Sequence, residues 1–465
     1  MQDENIGKGG NAMAKKIDAT SGNLVKQIFS FTIPLILTTI LQNLFNIADK
    51  AIAGQMAGSV AVASIGATST VINLILNGVI GLSTGTSIIL ARYVGQKDEE
   101  KIRKTIDTAI SASFILGLLV AVAGYFFSPM VLRAIDCPED CFRGAVIYLR
   151  IYLGAAPLFL CYNYAAAILR TMGDTKRPLY YITVAGVVNV VLNVVLCLVL
   201  EEKVLAVAIA TVIAKLVSTA LILRNLCHIE GNVKLNLFHM HTHFPTFMMI
   251  LRFGIPTSIS NLILPLANLQ IASGINSYGV EAVAGNSAAA SIHNIAGAFC
   301  SGFGIAATTF IGQNLGAKNK DRVIKCFWLL LWLNVAISGL VGVLLYLSGR
   351  FCLGLVVGAG ATEAINYGMS RLLHVTLFTF VCAVNTVISH SFQAFGYPMF
   401  SSISNIFFTL GLRVLWMQFI YPLNRSFDNI MLCFTVSWTL NMVLYIVFFA
   451  FIFTRYVKKG ICKRI

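Results

Sequence analysis

Charged side chains are scarce in this sequence. Only 11% of its 465 residues are Asp, Glu, Lys or Arg, whereas 57% are hydrophobic. Soluble globular domains carry about 25% charged residues, because these residues cover the surface that faces water. The shortage excludes a soluble globular protein of this length.

Clustered catalytic and metal-binding side chains are also missing. Hydrolysis or group transfer requires an acid, a base, a nucleophile or a metal held in one site. The histidines within apolar runs, His293, His374 and His390, stand apart from any paired carboxylates. The His-x-His-x-His stretch at 239–243 has no Cys or carboxylate beside it that would complete a metal site. We therefore expect no enzymatic activity, no metal and no bound cofactor.

Paired cysteines are not apparent either. The eleven cysteines are scattered, mostly inside apolar runs. Cys137 and Cys141, in the loop sequence CPEDC, are four residues apart and could approach each other on a helical turn. Free thiols are the preferred interpretation because no other pairing pattern accompanies them.

Apolar runs dominate what remains. Twelve of them, between Gln27 and Arg455, are long enough to cross a bilayer, whose core of about 30 Å requires roughly 20 helical residues. Unpaired backbone groups are too costly in lipid, so these runs should be helices. The sequence predicts an all-α polytopic membrane protein with twelve transmembrane helices.

The formal net charge of +15 follows the topology of these runs. Basic residues gather in alternate loops, such as 92–104, 170–177 and 318–325, and at both ends of the chain. The positive-inside rule therefore places both termini in the cytoplasm. This distribution accounts for the charge, so we expect a lipid bilayer as partner and no nucleic acid. The segment before Gln27 lacks a cleavable signal pattern, so the first span should act as the insertion signal.

The chain contains an internal repeat. The stretch SFTIPLILTTILQNLFNIAD, which ends at Asp49, matches LRFGIPTSISNLILPLANLQIA, with Asn46 aligned to Asn268 at an offset of 222. Further along, Gly95 aligns with Gly316. Each half holds six spans, an even number, so the two repeats are parallel and enclose a central cleft.

The repeat defines the predicted domain organisation. It comprises a cytoplasmic N-terminal segment (1–26), an N-lobe with helices 1 to 6 (27–226), a cytoplasmic linker (227–244), a C-lobe with helices 7 to 12 (245–455) and a basic cytoplasmic tail (456–465). Pro34 and Pro256 lie in the first helix of each lobe, where a missing amide donor permits a kink. Alternatively, both prolines mark interfacial turns near the cytoplasmic ends.

Asp49 is the one clearly intramembrane carboxylate in the sequence. An Asp at the centre of a membrane helix costs about 2.5 to 3.5 kcal/mol, so it should face the protein interior or a wet cavity. Asn189 and Asn193 lie four residues apart on one face of the fifth span, and Thr211 and Asn163 add side-chain oxygens. This polar group suits either a small hard cation or a proton on the carboxylate.

Several motifs together resemble the multidrug and toxic compound extrusion (MATE) family. They are the IP…Q/N…D…G…G pattern of the first span, which is repeated in the second half without its Asp, and the segments ILRTMGDTKRP, NVVLN, AIAT and IGQNLGAKN. The chain looks closer to the DinF-like branch, and that resemblance implies cation coupling through Asp49, Asn189, Asn193 and Thr211. The branch often has Asp where this chain has Asn193, which leaves the coupling ion, proton or sodium, open.

The resemblance implies a cation-coupled antiporter of the plasma membrane. It would export amphipathic, often cationic, drugs by alternating access, with aromatic and apolar side chains contacting the substrate. We expect a monomer. Polar residues expected to line the cavity are Asn46, Asn163, Asn268, Gln270, Asn385 and Arg413.

A lipid-linked saccharide flippase of the wider superfamily is the alternative function. Cavities of such flippases tend to be strongly cationic, because the substrate carries pyrophosphate. Intramembrane basic residues are few here, chiefly Lys215 and Arg413. Arg413 keeps this alternative open.

Overall fold

The computed structural model describes residues 17–56, 58–229, 233–236, 241–358 and 360–459. Most of the predicted N-terminal segment and of the basic tail, and His239 of the linker, lie outside these residues. Every regular element within the described ranges is helical. The α-helices are α1 (Leu24–Met56), α2 (Gly58–Gln96), α3 (Glu99–Ala134), α4 (Glu139–Gly154), α5 (Ala156–Thr171), α6 (Lys176–Val199), α7 (Lys203–Cys227), α8 (Phe244–Asn276), α9 (Val280–Gly316), α10 (Lys320–Leu347), α11 (Gly349–Val357), α12 (Thr362–Arg371), α13 (Thr379–Ala394), α14 (Pro398–Asn405), α15 (Leu412–Leu415) and α16 (Phe427–Lys459).

These helices form twelve spans. Ten segments are each long and apolar enough to cross a membrane alone, and two further spans are bent pairs of helices. One pair, α4 and α5, bends by 47°, and the other, Thr362–Thr376 with α13, bends by 41°. A proline in the first turn of α5 and a π-helical segment at Leu372–Thr376 accompany the two bends, and both features interrupt regular helical hydrogen bonding. The predicted all-α fold with twelve spans is confirmed.

The helices pack as two lobes that exchange part of their first helices. We define the N-lobe as α1 to α7 and the C-lobe as α8 to α16. Phe31 of α1 packs in a C-lobe core, edge to face with Phe310 at 5.3 Å between ring centroids. Ile250 and Phe253 of α8 pack in turn in an N-lobe core. Each lobe is thus anchored in the other through the opening turns of its first helix.

The lobes are closed against each other on the side where the described residues begin, at Ile17, and end, at Lys459. We name this side the terminal face. Here α2 contacts α8 and α9 so closely that only glycine fits at several positions. A Cβ at Gly95 would meet the carbonyl oxygen of Gln313, and one at Gly316 would meet that of Arg92. The paired glycines of the sequence repeat therefore meet the opposite helix in equivalent ways.

A segment before α1, Ile17–Gly22, lies across this closed face, and we call it the strap. Its first backbone N–H donates to the carbonyl oxygen of Gly173 in the N-lobe at 3.2 Å. On the C-lobe side, the guanidinium of Arg322 donates to three strap carbonyl oxygens at 2.6 to 3.0 Å. The strap bonds to both lobes and so stabilises the closed terminal face.

Contacts between the lobes end near the middle of the spans. Asn261 of α8 donates to the carbonyl oxygen of Asn77 at 3.4 Å. On the other side of this pair, toward the opposite face, none of the hydrogen bonds identified between described residues joins the two lobes. Asn46 of α1 and Asn268 of α8 are exposed there. The space between the lobes is therefore a cleft that opens away from the terminal face.

The two prolines lie inside continuous helices rather than at interfacial turns. Pro34 is buried within α1, and its carbonyl oxygen accepts from the Thr38 hydroxyl at 2.7 Å. Pro256 is buried within α8, and its carbonyl oxygen accepts from the Ser402 hydroxyl. Each proline removes the helical donor to the carbonyl four residues before it, and its own carbonyl oxygen accepts an additional bond from a side-chain hydroxyl.

Cys137 and Cys141 approach each other but are not bonded. Cys137 precedes α4 and Cys141 lies in its first turn, their sulfur atoms are 3.8 Å apart, and both are free thiols. The preferred interpretation of the CPEDC loop agrees with this geometry.

Candidate functional site

Asp49 lies near the far end of α1, half-buried between that helix and α6. Its Oδ1 accepts a hydrogen bond from Asn193 Nδ2 at 2.7 Å. Among the side chains that the structure describes, no Lys, Arg or His nitrogen lies within 4.0 Å of this carboxylate. Among the described side chains, the carboxyl group is therefore held by a neutral amide and not by a basic group.

Two asparagines of α6 complete the immediate surroundings of Asp49. Asn189 and Asn193 are four residues apart, so both side chains lie on one face of the helix, and they are only 6% and 0% exposed. Asn193 Nδ2 also lies 3.3 Å from Asn189 Oδ1. The Oδ1 atom of Asn193 is buried without a hydrogen-bond donor. The Asn193 amide nitrogen thus joins one carboxylate oxygen and one amide oxygen, and oxygens of this kind suit a hard cation or a proton.

Thr211 joins this group through a tyrosine rather than directly. Its hydroxyl donates to the carbonyl oxygen of Val207 in its own helix, α7, at 2.9 Å. The Tyr148 side chain of α4 contacts Thr211 and lies in the neighbourhood of Asp49. Tyr148 stacks on Tyr152 with 6.1 Å between ring centroids. Two stacked tyrosine rings of α4 therefore lie in the neighbourhood of the carboxylate.

Sequence reasoning missed these two tyrosines. Their spacing in YLRIY, four residues apart, was the available signal, because it places both rings on one helical face. Tyr148 is buried, and no local pattern indicated which helices this face of α4 would meet.

The other polar residues predicted to line the cavity fall into two groups. Asn46, Asn268 and Gln270 are exposed in the half of the protein where the lobes separate. Asn163 bonds the carbonyl oxygen of Phe159 in its own helix at 2.8 Å. Asn385 is buried and donates to the carbonyl oxygen of Trp438 at 2.9 Å. Arg413, the last of the set, is completely buried in the C-lobe.

Comparison with known proteins identifies the family. The profile of the MatE family matches residues 34–195 and 256–417, one segment in each lobe. The chain belongs to the MatE family. The resemblance that the motifs indicated is thereby confirmed, and the chain is a multi-pass membrane transporter. Branch membership within the MatE family is a finer distinction that this match does not make.

Several MatE relatives share most of the chain. It is 28% identical over 392 residues to the probable multidrug resistance protein YoeA of Bacillus subtilis (strain 168), covering 83% of this chain and 84% of that protein. The FAD transporter of Shewanella oneidensis is 25% identical over 282 residues, which cover 60% of this chain and 62% of the relative. The solved outward-facing structure of a multidrug resistance MATE family transporter superposes with a TM-score of 0.88 at 22% identity, over 97% and 100% of the two chains. This last likeness shows the shared fold.

Proposed function

We propose that this protein is a cation-coupled antiporter that exports amphipathic, drug-like compounds, many of them cationic, across the plasma membrane. Both termini lie in the cytoplasm, so the cleft faces the cell exterior in this conformation. The observation that carries the proposal is the Asp49 carboxylate, which bonds Asn193 at 2.7 Å and has no described basic partner. One chain is the transport unit, because the cleft lies between two lobes of the same chain.

The position of Asp49 on α1 supplies a route from cation binding to movement. The beginning of α1 packs in the C-lobe core, whereas its far end bonds α6 of the N-lobe. A cation or proton at Asp49 changes the attraction between α1 and α6. Because α1 spans both lobes, that change is transmitted to the contact between them, which is the requirement for alternating access.

The inward flow of cations would drive the export of substrate. The C-lobe segment that matches the Asp49 region offers Asn268 and Gln270, and the tenth span offers Asn385 and His390. None of these residues is acidic. Coupling therefore resides in the N-lobe, as the resemblance to the DinF-like branch implies. Relatives named as multidrug resistance proteins support drug-like substrates for this chain.

Ethidium transport under separately imposed gradients tests this function. Purified protein in proteoliposomes is expected to move ethidium against its gradient when either a sodium gradient or a pH gradient is imposed in the opposing direction. The active gradient identifies the coupling ion. Ethidium movement that is the same with and without both gradients would reject cation coupling.

Replacing Asn193 by alanine is expected to slow coupled ethidium transport about tenfold. The substitution removes the one amide that donates to Asp49, and a hydrogen bond to a charged group contributes about 1.5 to 3 kcal/mol. Initial rates in proteoliposomes measure the effect. Asn276→Ala, at the exposed end of α8, is the matched control and should transport at the wild-type rate. Equal rates for both variants would show that Asn193 does not support the carboxylate.

A further inference from the structure

The C-lobe contains two buried arginines around one phenylalanine. Arg413 of α15 is 0% exposed, and Arg371 at the end of α12 is 8% exposed. Their guanidinium carbons lie 4.3 Å and 5.2 Å from the centroid of the Phe434 ring in α16. Three elements of the C-lobe thus bring two permanent positive charges to the same ring.

Neither arginine has an acidic partner. Arg371 Nη1 donates to Asn286 Oδ1 at 2.6 Å, and Arg413 Nη1 donates to Asn268 Oδ1 at 3.1 Å. Arg413 also contacts the Ser437 hydroxyl at 3.4 Å. Across the described residues, no carboxylate lies within 4.0 Å of either guanidinium. The partners that the described residues offer these two buried charges are neutral oxygens and one aromatic face, with the thiols of Cys382 and Cys433 near Arg413.

Part of the hydrogen-bonding capacity of these arginines is unused. Arg413 Nη2 and Arg371 Nε are buried without an acceptor. The two groups are also close enough for their charges to repel each other. A buried charge without a counter-ion is unfavourable, and intramembrane ionisable residues usually mark a functional pathway. An anionic group would supply the missing acceptors and remove the repulsion.

We propose that this arginine pair is a binding site for the anionic group, a carboxylate or a phosphate, of an amphipathic solute in the cleft. The planar guanidinium fork matches the geometry of both groups better than a point cation does. If the solute is exported, this assignment rests on the proposed function and broadens its substrates from cations to molecules that carry an anionic group.

The cleft provides access to this site. Gly254, Asn261 and Asn268 are spaced by seven residues on α8, which places them on one helical face. Gly254 contacts α2 of the N-lobe, and Asn261 bonds it. Asn268 continues this face into the open part of the cleft, and its side chain bonds Arg413 directly. An anion entering from the cleft therefore needs to displace a single neutral amide to reach Arg413.

An aromatic wall adjoins the charged pair and suits the apolar part of such a solute. Trp438 lies 6.3 Å from Phe434 between ring centroids and stacks on His293 at 5.9 Å. Flat aromatic surfaces of this kind accommodate ring systems with little selectivity. The expected ligand thus combines an aromatic body with a carboxylate or phosphate.

Binding of carboxyfluorescein to the protein in phosphatidylcholine nanodiscs tests the site by fluorescence anisotropy. We expect saturable binding to the wild type and a dissociation constant at least about tenfold higher for Arg413→Gln. Arg413→Lys, which keeps the charge, should lose less affinity than Arg413→Gln. Arg350→Gln, an exposed arginine of α11, should bind as the wild type does. No saturable binding, or equal affinities for wild type and Arg413→Gln, would overturn the proposal.

A second variant tests the site without removing an arginine. Asn268→Ala frees Arg413 Nη1 from its neutral partner, so carboxyfluorescein should bind about threefold or more tightly, as expected for one competing hydrogen bond. Unchanged or weaker binding by this variant contradicts access through Asn268. This measurement remains decisive if Arg413→Gln does not elute as a monodisperse species.

The source of the anionic group is distinguished by lipid composition. If a lipid headgroup occupies the site, replacing part of the phosphatidylcholine by phosphatidylglycerol will weaken carboxyfluorescein binding to the wild type but not the residual binding to Arg413→Gln. If a free solute occupies it, the affinity will be the same in both lipids. Ethidium transport, measured in parallel, reports on the antiporter function. If the protein binds carboxyfluorescein but does not transport ethidium, the antiporter function alone is rejected. If it transports ethidium but does not bind carboxyfluorescein, the anion site alone is rejected.

Discussion

Replacing Asp49 by asparagine is expected to reduce ethidium efflux to the background of cells that lack the protein. The variant keeps the shape of the side chain, and Asn193 Nδ2 can still donate to its amide oxygen. What disappears is the negative charge, which is the only one that the described residues place beside the amides of α6. A cation loses its strongest ligand, and a proton loses its acceptor. Substrate binding without a coupled ion cannot support uphill export.

Ethidium efflux from a drug-sensitive host measures this effect, with protein amounts matched by immunoblot. Glu363→Gln makes the same chemical change at an exposed carboxylate in the first turn of α12 and should leave efflux intact. Undiminished efflux by Asp49→Asn at normal expression would reject its coupling role. Loss of efflux in both variants would indicate a general effect of removing acidic residues rather than a specific one at Asp49.

The fold and part of the site were predictable because the membrane imposes strong local rules. A span needs a minimum apolar length, so the twelve runs could be identified without knowledge of tertiary contacts. A carboxylate inside such a run requires polar neighbours. That requirement predicts that the two asparagines of α6 lie near Asp49, and the structure places Asn193 in contact with Asp49.

Features that depend on packing between distant segments could not be predicted. Tyr148 of α4 comes into the neighbourhood of Asp49 of α1 through packing between segments that are far apart in the sequence. No sequence pattern singled out Arg371, which the structure buries against Phe434. The packing of Phe31 in the C-lobe core could not be predicted from the hydrophobic pattern either, because an apolar helix face has the same pattern whichever lobe covers it.

Replacing Gly95 by alanine is expected to open the terminal face. The added methyl group would meet the carbonyl oxygen of Gln313, which is backbone and cannot rotate away. Overpacking of this kind costs about 1 to 3 kcal/mol, and about 1.4 kcal/mol already changes a conformational ratio tenfold. The cost applies only while α2 and α9 are in contact. The alanine therefore raises the free energy of the conformation in which the terminal face is closed, and it leaves the free energy of the alternative conformation unchanged.

Spin labels at Arg103→Cys and Lys325→Cys, exposed positions in α3 and α10, report the separation of the lobes on that face. In a background without native cysteines, Gly95→Ala should shift the distance distribution to longer values and slow ethidium transport. Gly66→Ala, in the same helix with nothing within 4 Å of the new Cβ, should change neither. Gly316→Ala should reproduce the Gly95→Ala result, because its Cβ would meet the carbonyl oxygen of Arg92 in the equivalent contact. If the distance between the labels stays short in both Gly95→Ala and Gly316→Ala, these glycine contacts do not determine which face is closed.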